Sequence, residues 1–300
     1  MPDIDESPAA VQVWRGQSVW SQAARAAKDR ITLGRRTVAA LTVTAAVAGT
    51  GAARLAGSAP AAGRALAIVA AAAFLLVPVT GRWASRDAVG VWTRLRSVSE
   101  ALKAELHRYL ARTAPFAGAD RDAVLLRRQD LLLDAAGDLV GHTLDVAPVE
   151  RALPPVADLP SYLAERVRRQ VDDYYLPAAR RAGRAAARIG RAATGLTVLA
   201  ALLSAVAGVL GDGLGLTAWV GVAAAVTTAL AGYGAAQRYE QQQIEYARTA
   251  DQLTRLRVTR ESGLGWTDDD AFVDEAERII SLSNAAWMAK MVEEDGAAQQ

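Results

Sequence analysis

Four uncharged, apolar segments interrupt a chain that is otherwise rich in charged residues. They cover about residues 37–54 (uncharged up to Ala53), 65–81, 192–210 and 216–236. Each is close to the roughly 20 residues that an α-helix needs to cross a bilayer core of about 30 Å. Short turns join the segments in pairs. The pattern predicts an all-α integral membrane protein with four transmembrane helices in two hairpins and with helical extensions in the cytosol. The alternative is that the same segments are buried helices of a soluble bundle.

Small residues recur at every fourth position within these segments. In a bilayer, such spacing lets two helix backbones approach closely. The residues that we expect to pack helices together are Ala45, Gly49, Ala53, Ser204, Gly208, Thr228, Gly232 and Ala236.

The hydroxyl groups of the spans have two alternatives, since they can line a weakly selective pore or donate to carbonyls of their own helix. They belong to Thr42, Thr44, Thr50, Thr194, Thr197, Ser204, Thr217, Thr227 and Thr228.

The distribution of arginine predicts the orientation of the spans. Basic residues are dense in 15–36, 82–96 and 166–191, whereas the turn at 211–215 has none. By the positive-inside rule, both termini and the long middle section are cytosolic. The formal net charge of +2 therefore conceals a strong asymmetry. Orientation and contact with anionic lipids explain the arginines, so a nucleic-acid partner is not expected.

The order of segments repeats along the chain. Shifting the sequence by about 150 residues superimposes the two apolar hairpins and the polar helices around them. Prolines cannot sustain a helix, and four of them lie in the stretch VAPVERALPPVADLPS at 146–161. The sequence therefore predicts two repeats, 1–147 and 161–300, joined by a Pro-rich linker at 148–160.

The polar helices carry apolar stripes at helical spacing. The residues of this candidate cytosolic interaction seam are Leu95, Val98, Leu102, Tyr239, Tyr246, Leu253, Leu256 and Trp287. Such a seam can close against the last helix of its own repeat or against another subunit, and heptad spacing does not choose between them.

The sequence offers little for catalysis. It has no cysteine and only two histidines, His107 and His142, without a second ligand or nucleophile at a useful spacing. We expect His107 to be a surface residue. The neighbouring acids Asp172 with Asp173, and Glu275 with Glu277, are typical of solvated helix faces. No catalytic, cofactor-binding or metal site is predicted, and the chain is not expected to be an enzyme.

Two further local patterns have structural explanations. The run Asp268-Asp269-Asp270 precedes the last predicted helix, where acids cap a helix start; metal binding is the alternative. The glycines of GDGLG, at 211–215, superficially resemble a phosphate-binding loop. Because they join two apolar spans rather than a strand and a helix, they predict a turn.

The second half of the chain resembles the SLATT superfamily, which consists of bacterial two-span domains associated with genes for nucleotide second messengers and SLOG-type sensors. The resemblance lies in YLAERVRRQVDDYY at 162–175, then a two-span hairpin, a long helix and a terminal helix ending near Trp287. The first half is similar through WRGQSVW at 14–20 and WTRLRSVSEALKAELHRYL at 92–110, although it lacks a tryptophan near its end. The chain is thus interpreted as a tandem pair.

The resemblance implies a membrane effector in a bacterial stress or anti-phage conflict response. It would act by oligomeric membrane perturbation or pore formation, with the lipid bilayer, further copies of the chain and a soluble nucleotide-signal sensor as partners. The alternative is a non-catalytic membrane scaffold that anchors a soluble sensor or partner protein. A small-solute transporter is least favoured, because the spans have no charged residue near the bilayer midplane.

Overall fold

The computed structural model describes residues 7–281 of the protein. Within that range all regular structure is helical, as the sequence predicts. The α-helices are α1 (Pro8–Leu55), α2 (Pro60–Gly81), α3 (Arg86–Ala111), α4 (Arg121–Asp134), α5 (Leu159–Tyr162), α6 (Leu176–Leu210), α7 (Leu216–Gln237), α8 (Tyr239–Glu261) and α9 (residues 269–281). Two π-helical segments, Leu163–Arg168 and Gln170–Tyr175, connect α5 to α6.

The polar residues before α5 and α9 cap these helices. At α5, the Asp158 carboxylate accepts a hydrogen bond from the Ser161 N–H, and the Ser161 hydroxyl oxygen accepts one from the Asp158 N–H, which forms a capping box. At α9, the Asp268 carboxylate accepts a hydrogen bond from the Asp270 N–H at 3.0 Å. The predicted capping role of the acidic run is therefore confirmed.

Four helical stretches are long and apolar enough to cross a membrane. They are Pro8–Leu55, Pro60–Ala111, Leu159–Leu210 and Leu216–Glu261, and each contains one predicted span. Because a helix satisfies its own backbone hydrogen bonds, it can lie in hydrocarbon without exposing unpaired polar groups. The chain is a multi-pass membrane protein.

The chain divides into two compact units, and each unit draws on both halves of the sequence. The span unit comprises Asp29–Ala88 and Arg181–Gln241. The polar unit comprises the described residues of Met1–Lys28, Val89–Arg180 and Gln242–Gln300. The division of the sequence at 148–160 stays a prediction, because the compact units group apolar spans together and polar helices together rather than separating the two halves of the sequence.

The span unit exposes large apolar side chains. Phe74 is 72% exposed and Val209 is 84% exposed, whereas the buried positions of this unit are mostly small, as at Ala48 and Ala73. A soluble bundle buries its large apolar residues, because their transfer from water drives folding. This inverted distribution suits a lipid environment and disfavours the soluble-bundle alternative.

Helices α1 and α2 approach closely through glycines. A Cβ atom at Gly63 would lie 3.2 Å from the carbonyl oxygen of Ala52 and 3.3 Å from backbone atoms of Ala56. A Cβ atom at Gly51 would lie 3.0 Å from Leu66 Cδ1. Small residues thus permit backbone-to-side-chain packing between these two helices.

Four threonines of the spans donate a hydrogen bond from their hydroxyl group to the carbonyl oxygen four residues earlier in the same helix. The donor and acceptor pairs are Thr42 with Val38, Thr197 with Ala193, Thr227 with Ala223, and Thr228 with Ala224. For these four threonines, the alternative in which the hydroxyl donates to its own helix is therefore observed.

The loop after α6 is the turn that the sequence predicts, with Gly211 and Gly215 at φ values of 74° and 63°. Glycine adopts positive φ angles readily because it has no Cβ atom.

In the polar unit, the Pro-rich segment lies along the first part of α1. The Trp14 indole N–H donates to the carbonyl of Ala152 at 2.9 Å, and the Gln22 amide donates to the carbonyl of Ala147 at 2.7 Å. Residues 146–158 are not helical, as their prolines predict. Side chains of α1 therefore donate hydrogen bonds to carbonyl oxygens of this segment, which has no helical partners of its own for them.

The close approach of α1 and α2 predicts the effect of filling it. Gly63→Ala should lower the thermal midpoint in detergent, because its Cβ meets backbone atoms and such overpacking costs about 1–3 kcal/mol. Gly195→Ala is the matched control, since no atom lies within 4 Å of its Cβ position. In a helix interior that control should be neutral or stabilising by about 0.5–1 kcal/mol. Equal midpoints for the two variants would contradict the packing.

Candidate functional site in the polar unit

A buried ion pair lies at the centre of the polar unit. The Arg166 guanidinium donates through Nε to Glu277 Oε1 at 2.8 Å and through Nη2 to Glu277 Oε2 at 2.7 Å. The side chains of Arg166 and Glu277 are 1% and 2% exposed. The Tyr162 hydroxyl donates a third hydrogen bond to Glu277 Oε1 at 3.0 Å. A two-bond fork of this kind fixes both position and orientation.

The two charges come from segments that are distant in sequence. Tyr162 ends α5, and Arg166 follows within the first π-helical segment, whereas Glu277 belongs to α9. The π-helix is rare and is found frequently at functional sites. The ion pair joins the start of the predicted second repeat to the last described helix.

The expectation that Glu277 lies on a solvated face was wrong. On α9 it is four residues after Val273 and three before Ile280, and both are buried. Those spacings place all three residues on one face of a helix. The neighbouring acid Glu275 does remain partly exposed and pairs with Arg278 at 2.5 Å. The apolar stripe of α9 was the sequence signal that could have identified Glu277.

Helix α3 presents a row of ionisable side chains to the same region. Arg96, Glu100, Lys103 and His107 follow one another at steps of four, three and four, which align on one helix face. Arg96 Nη2 lies 2.9 Å from Glu100 Oε1. We call these four residues together with Arg166 and Glu277 the charged cluster.

The charges within the cluster shift one another's pKa values. Burial alone would raise the pKa of Glu277, but the charge and hydrogen bonds of Arg166 outweigh it and lower that pKa to about 2. Burial, reinforced by the charge of Arg166, lowers the pKa of Lys103 to about 8. Burial also lowers the pKa of His107 to about 3, and Arg166 adds to this effect. His107 is therefore neutral at neutral pH.

His107 is buried, and the prediction that it is a surface residue was wrong. Its side chain is 3% exposed, and its ring lies edge-on to Trp14 with the centroids 6.5 Å apart. Its Nδ1 atom is 2.7 Å from the carbonyl oxygen of Lys103. The covering residue lies on α1, almost a hundred positions away in the sequence, so the neighbours of His107 along the chain gave no indication of it.

Three tyrosines pack beside the cluster. Tyr174 lies 5.1 Å from Tyr175 and 5.9 Å from Tyr246 between ring centroids, both nearly edge-to-face. The Arg96 guanidinium donates to the Tyr174 hydroxyl at 3.3 Å. Aromatic edge-to-face contacts stabilise by about 0.5–1.5 kcal/mol beyond their buried area. The tyrosines thus tie α8 and the second π-helical segment to α3.

Most residues of the candidate seam pack inside the polar unit. Leu95, Leu102 and Leu253 are fully buried and Leu256 is 6% exposed. Val98 and Tyr246 are partly buried, Tyr239 belongs to the span unit, and Trp287 lies outside the described residues. The fully buried leucines have no surface left for another subunit.

The candidate packing residues of the spans separate into two groups. Gly49 lies on the side of α1 that faces Ala70 of α2, with 3.9 Å between the two Cβ positions, and Ala45 and Ala236 are partly buried. The others are exposed within the single chain: Ala53, Ser204, Gly208, Thr228 and Gly232. A Cβ atom at Gly208 or at Gly232 would meet no atom within 4 Å.

The arrangement suits electrostatic recognition and structural coupling. In the described part of the chain, no three His, Asp or Glu side chains are grouped so that they could hold a metal ion. The charged cluster supplies fixed charges and hydrogen-bond donors, and the tyrosines beside it supply hydroxyl groups. The Arg166–Glu277 pair links the first π-helical segment to α9, and the Arg96–Tyr174 hydrogen bond links α3 to the second π-helical segment.

Breaking the buried pair should be far more damaging than replacing it. Glu277→Gln should lower the free energy of unfolding by about 3–5 kcal/mol, because Arg166 would stay charged without its partner. The double variant Arg166→Met, Glu277→Leu should recover most of that loss. The matched control is Glu275→Gln on the same helix, which should change stability by less than about 1 kcal/mol because this pair is partly solvated. Denaturant titration in detergent gives the three values, and additive losses in the double variant would contradict the pairing.

Buried neutral His107 predicts lability to acid. Its pKa is 6.5 in the unfolded chain and about 3 in the fold, so only the unfolded state gains a proton as pH falls through this window. The contribution of His107 to stability should be constant above pH 6.5 and should fall below it by about 1.4 kcal/mol per pH unit. His107→Gln should remove this slope between pH 6.5 and 4.5, above the range where Glu277 begins to protonate. Exposed His142→Gln should keep it, and identical slopes in the two variants would refute the assignment.

Two family models match the chain, one in each half. Residues 162–287 match the SMODS and SLOG-associating 2TM effector domain 1, SLATT_1, and residues 18–123 match a protein family of unknown function, DUF4231. No curated protein and no solved structure matches the chain. Because the halves match different models, the tandem pair stays a prediction. The family expectation itself is confirmed: residues 162–287, which contain Arg166 and Glu277, form a domain of the SLATT family.

Proposed function

We propose that the protein is a membrane effector of a bacterial stress or anti-phage conflict response. It acts by an oligomeric rearrangement of its spans that perturbs the bilayer or opens a pore. The observation that carries the proposal is the match of 162–287 to a two-transmembrane effector domain, together with four helices able to span a membrane. The effector role comes from that domain family.

The surface of the span unit supports self-association. Ser204 and Gly208 are one turn apart on α6, as are Thr228 and Gly232 on α7, and all four are exposed in the single chain. Small residues at this spacing allow close helix contacts in lipid. A pore would be lined by residues of several copies, since four spans of one chain enclose little room.

The polar unit is proposed to receive the signal in the cytosol. Both termini are then cytosolic, in agreement with the arginine-rich segments beside the spans. Helix α1 contributes to the polar unit up to Lys28 and to the span unit from Asp29. A rearrangement in the polar unit can therefore act on the spans through a continuous helix. A soluble nucleotide-signal sensor is the partner that the domain's description favours.

The proposed action requires no enzymatic step, cofactor or nucleic acid. The charged cluster presents no nucleophile with an adjacent base. Contact with a signalling partner and with lipid suffices for the mechanism. The alternative, a non-catalytic scaffold that anchors a soluble partner, shares the same topology and differs only in the absence of flux.

Leakage from liposomes tests this function. Purified chain reconstituted in dye-loaded vesicles should release the dye, and its expression in cells should depolarise the membrane. Gly208→Leu should suppress both effects, because a bulky residue at a close helix contact prevents association. Gly195→Leu makes the same substitution at an exposed glycine about 140° around the same helix and should leave leakage unchanged. Intact vesicles and an unchanged potential, with a soluble protein co-purifying in stoichiometric amount, would replace the proposal with the scaffold.

A further inference from the structure

The charged cluster contains more positive than negative charge. Its cations are Arg96, Lys103 and Arg166, its carboxylates are Glu100 and Glu277, and His107 is neutral. One positive charge is therefore in excess. An unpaired charge removed from water is costly unless an opposite charge compensates it.

One nitrogen of Arg166 has no hydrogen-bond partner. Nε and Nη2 are taken by Glu277, but Nη1 is fully buried and makes no hydrogen bond. Buried guanidinium donors are nearly always satisfied, so an orphan of this kind indicates a missing acceptor. This observation is independent of the count of charges.

Among the charged groups that act on the pKa of Lys103, Arg166 has the largest effect. The charge of Arg166 disfavours protonation of Lys103, and the charge of Glu100 favours it. No described carboxylate lies within 4.0 Å of the Lys103 ammonium; Glu100 pairs with Arg96 at 2.9 Å, and the charge of Lys103 also favours its ionised form. The lysine side chain remains partly accessible to solvent. Of the two cations, Lys103 is therefore the one that an anion can approach from water.

We propose that Lys103 and Arg166 form a binding site for a phosphate group. The guanidinium Nη1 and the ammonium each donate to phosphate oxygens, and the anion neutralises the excess charge of the cluster. Arginine presents planar donors that suit a phosphate, and lysine adds a point charge. Glu100 opposes binding by its own negative charge and thereby limits the affinity. The phosphate group is free in solution or part of a lipid headgroup, which is the same chemistry.

Titration of the full-length chain in an uncharged detergent tests the site. Inorganic phosphate and pyrophosphate should raise the thermal midpoint in a saturable way. Lys103→Gln should weaken binding by about tenfold, because a charged hydrogen bond is lost. Glu100→Gln should strengthen binding, since it removes a competing carboxylate. The matched control is Arg255→Gln, which removes the same charge from an exposed position on α8 and should change binding by less than about twofold.

Two results would overturn the site. One is the absence of saturable binding up to about 10 mM phosphate, a concentration that detects even weak complexes. The other is an equal loss in Lys103→Gln and Arg255→Gln, which would mean general charge attraction. Nanodiscs of phosphatidylglycerol, compared with phosphatidylcholine, distinguish the two sources. A stabilisation that is specific to phosphatidylglycerol and lost in Lys103→Gln would identify the headgroup. Because binding in micelles requires no leakage, the site and the proposed function can fail separately.

Discussion

The structure depends on the requirement that backbone polar groups in hydrocarbon find partners within the chain. Helices satisfy this requirement through their backbone hydrogen bonds. Threonines of the spans donate their hydroxyl hydrogen bonds to carbonyl oxygens one turn earlier. With polar groups satisfied locally, helix contacts rely on shape, so glycine at positions such as Gly63 decides how closely α1 and α2 can approach. The span unit is accordingly built from small buried residues and large exposed ones.

The polar unit follows the opposite rule, and its Arg166–Glu277 pair shows why. Leucines fill its core, yet a fully buried ion pair is retained among them. A buried pair contributes little net stability compared with apolar residues of the same size, but it tolerates very few arrangements. It therefore specifies how α9 meets the π-helical segment. The surplus cation beside it gives the same interior a means to respond to an anion.

The sequence was sufficient for the all-α class and for the four candidate spans, because both depend on local composition. Uncharged segments of about 20 residues, proline in 146–158 and aspartate before α9 each act through their nearest neighbours in the chain. The candidate site depends on neighbours that are distant in sequence. Trp14 buries His107 from α1, and Arg166 pairs with Glu277 more than a hundred residues later. Periodicity marks the buried face of α9 but does not identify the group that meets Glu277.

Burial also limits how copies of this chain could associate. The α3 and α8 stripes resemble coiled-coil seams, yet Leu95, Leu102 and Leu253 are enclosed by their own chain. Releasing a buried leucine to a second subunit would expose apolar surface worth about 1.5–3 kcal/mol for each side chain. The open small-residue face at Ser204 and Gly208 involves no such loss, because nothing in residues 7–281 covers it. An oligomer of this protein would therefore form through its spans and leave the interior of the polar unit intact.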